Sequence, residues 1–208
     1  MLKSYLLENY GYNEPIFLND LKIEGLSENA VRQSVKRLVV NGFLERYDNG
    51  IYYIPKQGGL LGKSYLDPFL VIIRKYVKNR SETYGYITGI SFANQLGLTT
   101  QVPAEIEIVT NRESTNGRMV TVGNLKVRIK KPSVTVSDNN AELLQLLDGI
   151  GQAEKYTELP MEETIDTMRS YVKQKNFTKE QLSEVSFSIT GATAKKLIEW
   201  GMIYEFAS

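Results

Sequence analysis

A helix with marked ends, followed by a tight hairpin, is the feature of residues 19–54 that most constrains what this chain can fold into. Residues 27–41 carry apolar side chains at helical spacing, namely Val31, Val35, Leu38 and Val39. Ser27 can accept a hydrogen bond from a free N–H of the first turn, and Gly42 suits the left-handed backbone that ends many helices. The pattern therefore predicts an amphipathic helix with a defined start and a defined end.

The residues on either side of this helix extend the pattern. A short helix is predicted before it, over residues 19–25, and a two-stranded hairpin after it, closed by Asp48-Asn49-Gly50. Leu44, Ile51 and Tyr53 are expected to close a small core. The order of helix, turn, helix and hairpin is that of a winged helix-turn-helix. We therefore predict a DNA-binding domain over residues 1–57.

The outward face of the predicted helix carries side chains that can read DNA bases. Arg matches the two acceptors of guanine, and Asn and Gln match the donor and acceptor of adenine, whereas Lys and Arg also reach phosphates. Arg46 and Asn49 lie near the tip of the predicted wing. The predicted DNA-binding residues are Ser27, Asn29, Arg32, Gln33, Lys36, Arg37, Arg46 and Asn49. A solvated helix face, or a winged helix that docks proteins, would have the same pattern.

A second domain with mixed helices and strands is predicted over residues 58–208, so the expected fold class is α+β. Residues 104–110 and 123–131 alternate apolar and charged side chains, which is typical of half-buried strands. Helical patterns cover residues 65–78, a short stretch ended by Gly97, and residues 139–148, 161–175, 179–184 and 193–200. Residues 55–62 are predicted to form a linker.

Charge divides unevenly along a chain whose formal net charge is only +1. Residues 1–57 are neutral, residues 58–135 carry +6 and the helical tail, residues 136–208, carries −5. The basic middle could attract nucleic acid or an acidic protein, or it could face the acidic tail within the fold. Its candidate basic face consists of Lys63, Arg74, Lys75, Lys78, Arg112, Arg118, Lys126, Arg128, Lys130 and Lys131.

The composition excludes most common catalytic designs. The chain has no histidine and no cysteine, so serine–histidine triads, thiol nucleophiles and zinc sites built on these residues are impossible. Residues 58–64 end like a phosphate-binding loop, but Gln57 stands where the first glycine is required. We predict no enzymatic activity, no cofactor and no metal.

One enzyme alternative survives this exclusion, a metal-dependent nuclease. It would use Glu105 and Glu107 as metal ligands beside the lysine and arginine side chains of residues 126–130. Ordinary cross-strand ion pairs are the stronger interpretation of the same residues. No apolar run approaches the roughly 20 residues that span a bilayer, and the first ten residues lack the apolar core of a signal peptide. A cytoplasmic location without a membrane partner is expected.

One segment resembles a known family. The segment Tyr84-Gly85-Tyr86-Ile87-Thr88-Gly89, continuing to Gly97-Leu98 and Val102-Pro103, and the strand Ile106-Glu107-Ile108-Val109-Thr110 follow a predicted winged helix. This combination resembles the AbiEi-like antitoxins of type IV toxin–antitoxin systems in bacterial abortive infection. The resemblance runs from the first predicted helix to about Asp148.

The resemblance implies two tasks. The winged helix would bind inverted repeats in the promoter of its own operon and repress it. The C-terminal domain would counteract a nucleotidyltransferase-type toxin during defence against phage, without a stable complex between the two proteins. The candidate basic face would then supply the antitoxicity or an auxiliary contact with nucleic acid. The alternative is a ligand-responsive transcriptional regulator that has no toxin partner.

Overall fold

The chain divides between Arg74 and Lys75 in this computed structural model, which describes residues 2–56, 62 and 64–207. Most of the predicted linker, the loop resembling a phosphate-binding motif, and Lys63 lie outside the described residues. The division falls later than the domain boundary placed after residue 57 because residues 64–74 are tied to the start of the chain. Ser64 Oγ donates to Asn13 Oδ1 at 2.5 Å, and Arg74 Nε donates to Glu14 Oε2 at 3.1 Å.

The N-terminal unit combines three helices with a three-stranded antiparallel sheet. Its elements are α1 (Leu2–Asn9), β1 (Ile16–Phe17), a 3-10 turn (Leu18–Asp20), α2 (Glu28–Val40), β2 (Glu45–Asp48), β3 (Ile51–Tyr53) and α3 (Pro68–Ile72). The strands lie in the order β1-β3-β2. A π-helical turn, Ile73–Val77, follows α3. The predicted hairpin is confirmed, with a bulge between Arg46 and Asp48.

The core of this unit gathers apolar side chains of α1, β1 and α2 and of the residues that flank the hairpin. It contains Leu2, Leu6, Ile16, Leu21, Val31, Val35, Leu44 and Ile54. The predicted burial of Leu44, Ile51 and Tyr53 is confirmed. The helix predicted over residues 19–25 is wrong, because only the 3-10 turn forms there. A single turn is too short to repay helix nucleation, and Gly25 leaves the helical region with φ of +77°.

The C-terminal unit is built on a four-stranded mixed sheet. Its strands are β4 (Gly85–Thr88), β5 (Ile106–Thr110), β6 (Arg118–Val122) and β7 (Leu125–Lys130), in the order β4-β5-β7-β6. The central pair, β5 and β7, is parallel, and both outer pairs are antiparallel. The two predicted strands are confirmed as β5 and β7, whereas β4 and β6 were not predicted.

Five helices complete this unit: α4 (Ile90–Gln95), α5 (Ala141–Tyr156), α6 (Met161–Lys175), α7 (Lys179–Val185) and α8 (Gly191–Glu199). Their apolar faces form one core with Tyr86 and Val109 of the sheet. Helix α5 runs well past the predicted end at Asp148. Over the described residues the structure is therefore a mixed fold of eight α-helices and two small sheets. The predicted class, a mixture of helices and strands, is confirmed.

The sheet of the C-terminal unit has one apolar side and one polar side. Strand alternation buries Ile106, Ile108, Val127 and Ile129 on the first side. The second side carries Glu105, Glu107, Arg128 and Lys130, and α5 packs over its β4 end. Among the described residues, no helix combines the length and the apolar character that crossing a lipid bilayer requires.

Candidate nucleic-acid interface

Helix α2 is fixed at both ends by hydrogen bonds that the sequence predicts. Ser27 Oγ accepts from the N–H of Ala30 at 3.3 Å, which satisfies one free donor of the first turn. At the other end Gly42 has φ of +69°, and its N–H donates to the carbonyl of Val39. The N–H of Phe43 donates to the carbonyl of Leu38 at 2.9 Å, which completes the paired pattern of a Schellman cap. The helix is therefore a defined rod of 13 residues.

The outward face of α2 presents the predicted side chains to solvent. Val31 and Val35 are 2% and 1% exposed and hold the opposite face in the core. Asn29, Arg32, Gln33, Lys36 and Arg37 are all exposed. Arg32 approaches Glu28 only to 4.0 Å, with both side chains more than half exposed, so this ion pair is weak. The face keeps its hydrogen-bonding groups available to a ligand.

The hairpin tip brings Arg46 and Asn49 together. Arg46 Nη2 donates to Asn49 Oδ1, and Arg46 Nε donates to the carbonyl of Asp48, both at 3.3 Å. The N–H of Asn49 donates to Asp48 Oδ1 at 2.6 Å, and Gly50 turns the chain with φ of +73°. All three polar side chains are exposed. The tip therefore presents an oriented guanidinium with the Asp48 carboxylate close by. Asp48 was not among the predicted DNA-binding residues.

Ser27 differs from the other predicted DNA-binding residues. Its hydroxyl is already the acceptor of the helix cap. A contact from this hydroxyl to DNA would have to use its O–H donor or its second lone pair without breaking the cap. We therefore assign Ser27 first to positioning α2 and only second to contacting a ligand.

Many cations of the candidate basic face of residues 58–135 are engaged by partners inside their own units. Four of its cations form ion pairs with carboxylates: Arg74 with Glu14, Arg118 with Glu113, Arg128 with Glu105, and Lys130 with Glu107. Arg112 donates to the carbonyl of Lys75 at 2.9 Å, and its guanidinium lies 3.7 Å from the ring centre of Tyr84. Lys75 lies near the ring of Tyr76. Lys78, Lys126 and Lys131 are exposed.

Strand alternation also separates these cations. Arg118 pairs with Ile129 across β6 and β7, so it shares the apolar side of the sheet. Lys126, Arg128 and Lys130 lie on the opposite side. The strands therefore do not present these four cations on one surface.

A polar network covers the second side of the sheet where α5 crosses it. Glu107 accepts from Lys130 Nζ and, at 3.2 Å, from the hydroxyl of Tyr156. Tyr86 donates to Asp148 Oδ2 at 3.0 Å. Burial raises the pKa of the Asp148 carboxyl and of the Tyr86 hydroxyl. The hydrogen bond from Arg128, at 2.6 Å, lowers the pKa of Glu105.

This network resembles a structural brace more than a metal centre. The carboxylates proposed for the nuclease alternative, Glu105 and Glu107, are both engaged by cations. Within the described part of the chain, no group of three or more acidic side chains is placed to hold a metal ion. A cavity of about 50 Å³ lies beside Asp148, bounded in part by Ser133, Thr190 and Thr193. This volume suits water molecules rather than an organic ligand.

Sequence reasoning missed the partners in this network. Tyr86 belongs to the segment that carries the family resemblance, but Asp148 lies 62 positions away and no local spacing connects them. The same holds for Gln145, whose amide donates to the carbonyl of Ile87 at 2.8 Å. Only the register of the sheet against α5 could have identified these pairs.

These observations define a two-unit α+β protein whose first unit exposes one polar, partly basic face of a capped helix and a hairpin with an arginine at its tip. The chain belongs to a family of unknown function, DUF6088, which matches residues 13–178. The matched range includes α2, the hairpin and the whole four-stranded sheet. No curated protein matches the chain.

Proposed function

We propose that this protein is a DNA-binding transcriptional repressor whose N-terminal unit is a winged helix. In this proposal α2 is the recognition helix and the hairpin of β2 and β3 is the wing. One observation carries the proposal. A helix fixed at both ends buries Val31 and Val35 and exposes amide and cationic side chains on its opposite face.

The topology of the N-terminal unit supports this assignment. A winged helix orders its elements as helix, strand, helix, helix, strand, strand, with the recognition helix directly before the wing. The unit has this order if the 3-10 turn Leu18–Asp20 takes the place of the second helix. Its strand order, with β3 between β1 and β2, anchors the hairpin to the remainder of the unit.

The exposed side chains support recognition of double-stranded DNA. Asn29 and Gln33 can each form two hydrogen bonds with adenine, and Arg32 can form two with guanine. Lys36, Arg37 and Arg46 suit phosphates, and Asn49 suits the wall of the minor groove. Since the first 57 residues carry no net charge, a single unit should bind nonspecific DNA weakly. Discrimination between sequences then depends on the base contacts.

The proposal extends to the role that the family resemblance implies. The protein would bind inverted repeats in its own promoter, and its C-terminal unit would counteract a nucleotidyltransferase-type toxin in phage defence, without catalysis, a cofactor or a stable complex. The resemblance alone supports this second task. Lys78, Lys126 and Lys131 are the exposed cations of the C-terminal unit's predicted face that remain available for it.

Fluorescence anisotropy tests the DNA-binding proposal. The purified chain is titrated into labelled duplexes of its own upstream DNA and of a shuffled sequence, across a salt series. We expect Arg32→Ala to weaken specific binding by about 1–3 kcal/mol, and Lys36→Ala to reduce the salt slope by about one if it contacts phosphate. Lys56→Ala is the matched control, because it removes the same charge at the far end of β3. Equal binding of both duplexes, unchanged by Arg32→Ala, would contradict the proposal.

A growth assay tests the second task separately. The chain is co-expressed with the nucleotidyltransferase encoded beside it, where such a gene is present. We expect Arg32→Ala to retain growth rescue, because α2 belongs to the other unit, and Lys126→Glu to weaken rescue. Failure of the unaltered chain to rescue growth would remove the antitoxin task and leave the DNA-binding proposal standing.

A further inference from the structure

The two edge strands of the four-stranded sheet, β4 and β6, differ in how far their outward backbone groups are covered. On the β4 side, the carbonyl of Tyr76 approaches so closely that a Cβ on Gly85 would lie 2.2 Å from it. Lys78 forms an antiparallel bridge with Thr83 beside it, and Gln145 Nε2 donates to the outward carbonyl of Ile87. Backbone and side chain together therefore cover the β4 edge.

The β6 edge has no comparable cover. Strand β6 pairs with β7 over five consecutive residues without a bulge, and the two-residue turn at Gly123 and Asn124 closes the hairpin. In such a ladder Arg118, Val120 and Val122 bond to β7, so the N–H and C=O groups of Met119 and Thr121 point outward. Throughout residues 2–56, 62 and 64–207, no hydrogen bond reaches these four groups.

Strand β6 also lacks the features that usually keep an edge from pairing. Natural edge strands carry a central charge, a proline or a bulge. Strand β6 has the sequence Arg-Met-Val-Thr-Val, with its one charge at its first residue. Met119 is 43% exposed and Val120 is half-buried, so apolar surface accompanies the open backbone.

We propose that β6 pairs with β6 of a second copy of this chain, antiparallel and around a two-fold axis at Val120. The outward groups dictate the register. Pairing Met119 with Thr121 of the second copy, and Thr121 with its Met119, is the register that uses the outward N–H and C=O groups of both residues in each strand. Val120 then faces Val120 of the second copy, and the two sheets join into one of eight strands.

The side chains fit this register. Arg118 faces Val122 of the second copy, so the two Arg118 side chains stand at opposite ends of the paired strands. No like charges lie opposite each other, and two β-branched side chains meet at the axis. The formal charge of +1 adds little repulsion between two copies. The strand is therefore complementary to itself, which favours a second copy over an unrelated peptide.

The association should be reversible and weak. A single pair of five-residue strands buries less than the roughly 1,200 Å² of a standard stable interface. We therefore expect a dissociation constant of about 10–100 µM, as for a weak, transient interface. If the proposed DNA-binding function also holds, each dimer carries two recognition helices, and DNA raises the local concentration of the chain.

Sedimentation velocity on the full chain, without DNA, tests the proposal independently of its DNA binding. From about 1 to 200 µM, a range set to bracket the expected dissociation constant, the weight-average mass should rise from one copy towards two. Amide hydrogen exchange should slow at Met119 and Thr121 as concentration rises. At Val120 the amide should be protected at every concentration, because it already bonds to β7. A constant monomer mass over this range would overturn the proposal.

Two sets of variants localise the contact. Thr121→Pro removes an outward N–H without removing a bond to β7, and it should weaken association at least tenfold, while Thr121→Val should retain it. Val120→Lys and Val120→Glu should each be monomeric alone, and an equimolar mixture should associate again because unlike charges then meet at the axis. Association of Thr121→Pro as strong as that of Thr121→Val, or a mixture that stays monomeric, would overturn the proposal.

Discussion

Helix α2 of the N-terminal unit and the strands β5 and β7 of the C-terminal unit carry similar polar side chains in different states. On α2, Gln33 and Lys36 are exposed, and Arg32 has only a distant, solvated partner. On the strands, Arg128 and Lys130 are held by Glu105 and Glu107 at part-buried positions. The same residue types therefore face solvent in one unit and face each other in the other.

This difference shows why charge counts along a sequence overestimate binding surfaces. A cation that is already paired with a part-buried carboxylate must lose that partner, or recruit a ligand to both, before it binds a phosphate. An exposed cation exchanges only water and counterions. Several cations of residues 58–135, such as Arg128 and Lys130, are thus engaged by carboxylates of their own unit, whereas the neutral N-terminal segment presents an accessible polar face.

The largest expected loss of stability comes from removing the Glu107 carboxylate, which holds a paired charge. Glu107→Ala leaves Lys130 and the hydroxyl of Tyr156 without their acceptor at positions that are only partly solvated. We expect the free energy of unfolding to fall by about 2 kcal/mol. Urea unfolding followed by the fluorescence of Trp200, the single tryptophan, reports on this unit.

The matched change in the other unit is Glu28→Ala. Glu28 has 91% of its side chain exposed, and it lies 4.0 Å from Arg32. We expect a loss below about 0.5 kcal/mol, measured by circular dichroism, because exposed ion pairs contribute little. Equal losses in the two variants would contradict the distinction between paired and exposed charges.

The second effect is acid sensitivity of the C-terminal unit. Glu113 accepts from the backbone and side chain of Thr115, from the N–H of Ser114 and from Arg118, and these bonds lower its pKa from 4.5 to about 2. Bonds from Thr100 and Gln101 likewise lower the pKa of Glu158 to about 2. Because both folded pKa values lie below the unfolded values, their stabilisation is complete well above pH 4.5 and is lost as the pH falls through about 2.

Urea unfolding at a series of pH values measures this loss. Glu113→Gln combined with Glu158→Gln should lower stability at neutral pH and should flatten the decline between pH 4.5 and 2. A decline in the double variant as steep as in the unaltered chain would show that other carboxyls control the acid response.

The third effect concerns Ser27, the predicted DNA-binding residue that also caps α2. Ser27→Ala removes the acceptor for the N–H of Ala30 and should cost about 1 kcal/mol in the N-terminal unit. Ser27→Asp restores the cap and should recover this loss. Amide exchange of the first turn of α2 gives the readout. An unchanged exchange rate in Ser27→Ala would mean that the cap contributes nothing to holding the helix.

The sequence was sufficient where structure is set by neighbouring residues. Ser27 and Gly42 predicted the two ends of α2, and Asp48-Asn49-Gly50 predicted the hairpin, because caps and tight turns depend on a few adjacent side chains. A helical pattern predicted Met161–Lys175 as a helix with its observed bounds. The exposed face of α2 followed from its helical period.

The sequence was insufficient where structure depends on distant partners. The helical pattern predicted an end at Asp148, yet α5 continues through Gly149 and Gly151 to Tyr156. A Cβ on Gly149 would lie 2.7 Å from the ring of Phe92, and one on Gly151 would lie 2.9 Å from Thr193 Oγ1. These glycines therefore serve close packing rather than helix termination. The sequence did indicate cross-strand ion pairs between these strands, but which cation meets Glu105 depends on the parallel register of β5 and β7, and the structure assigns Arg128 to it.

The strand order β4-β5-β7-β6 has a consequence for how the C-terminal unit folds. Strands β6 and β7 are joined by a two-residue turn, so their hairpin needs little loop closure and can form within microseconds. Strand β7 reaches β5 only across a longer connection, in parallel pairing that forms more slowly. We therefore expect the hairpin to dock onto β5 as a preformed piece. Higher φ-values at Val122 than at Ile108 in stopped-flow refolding would support this order, and the reverse would refute it.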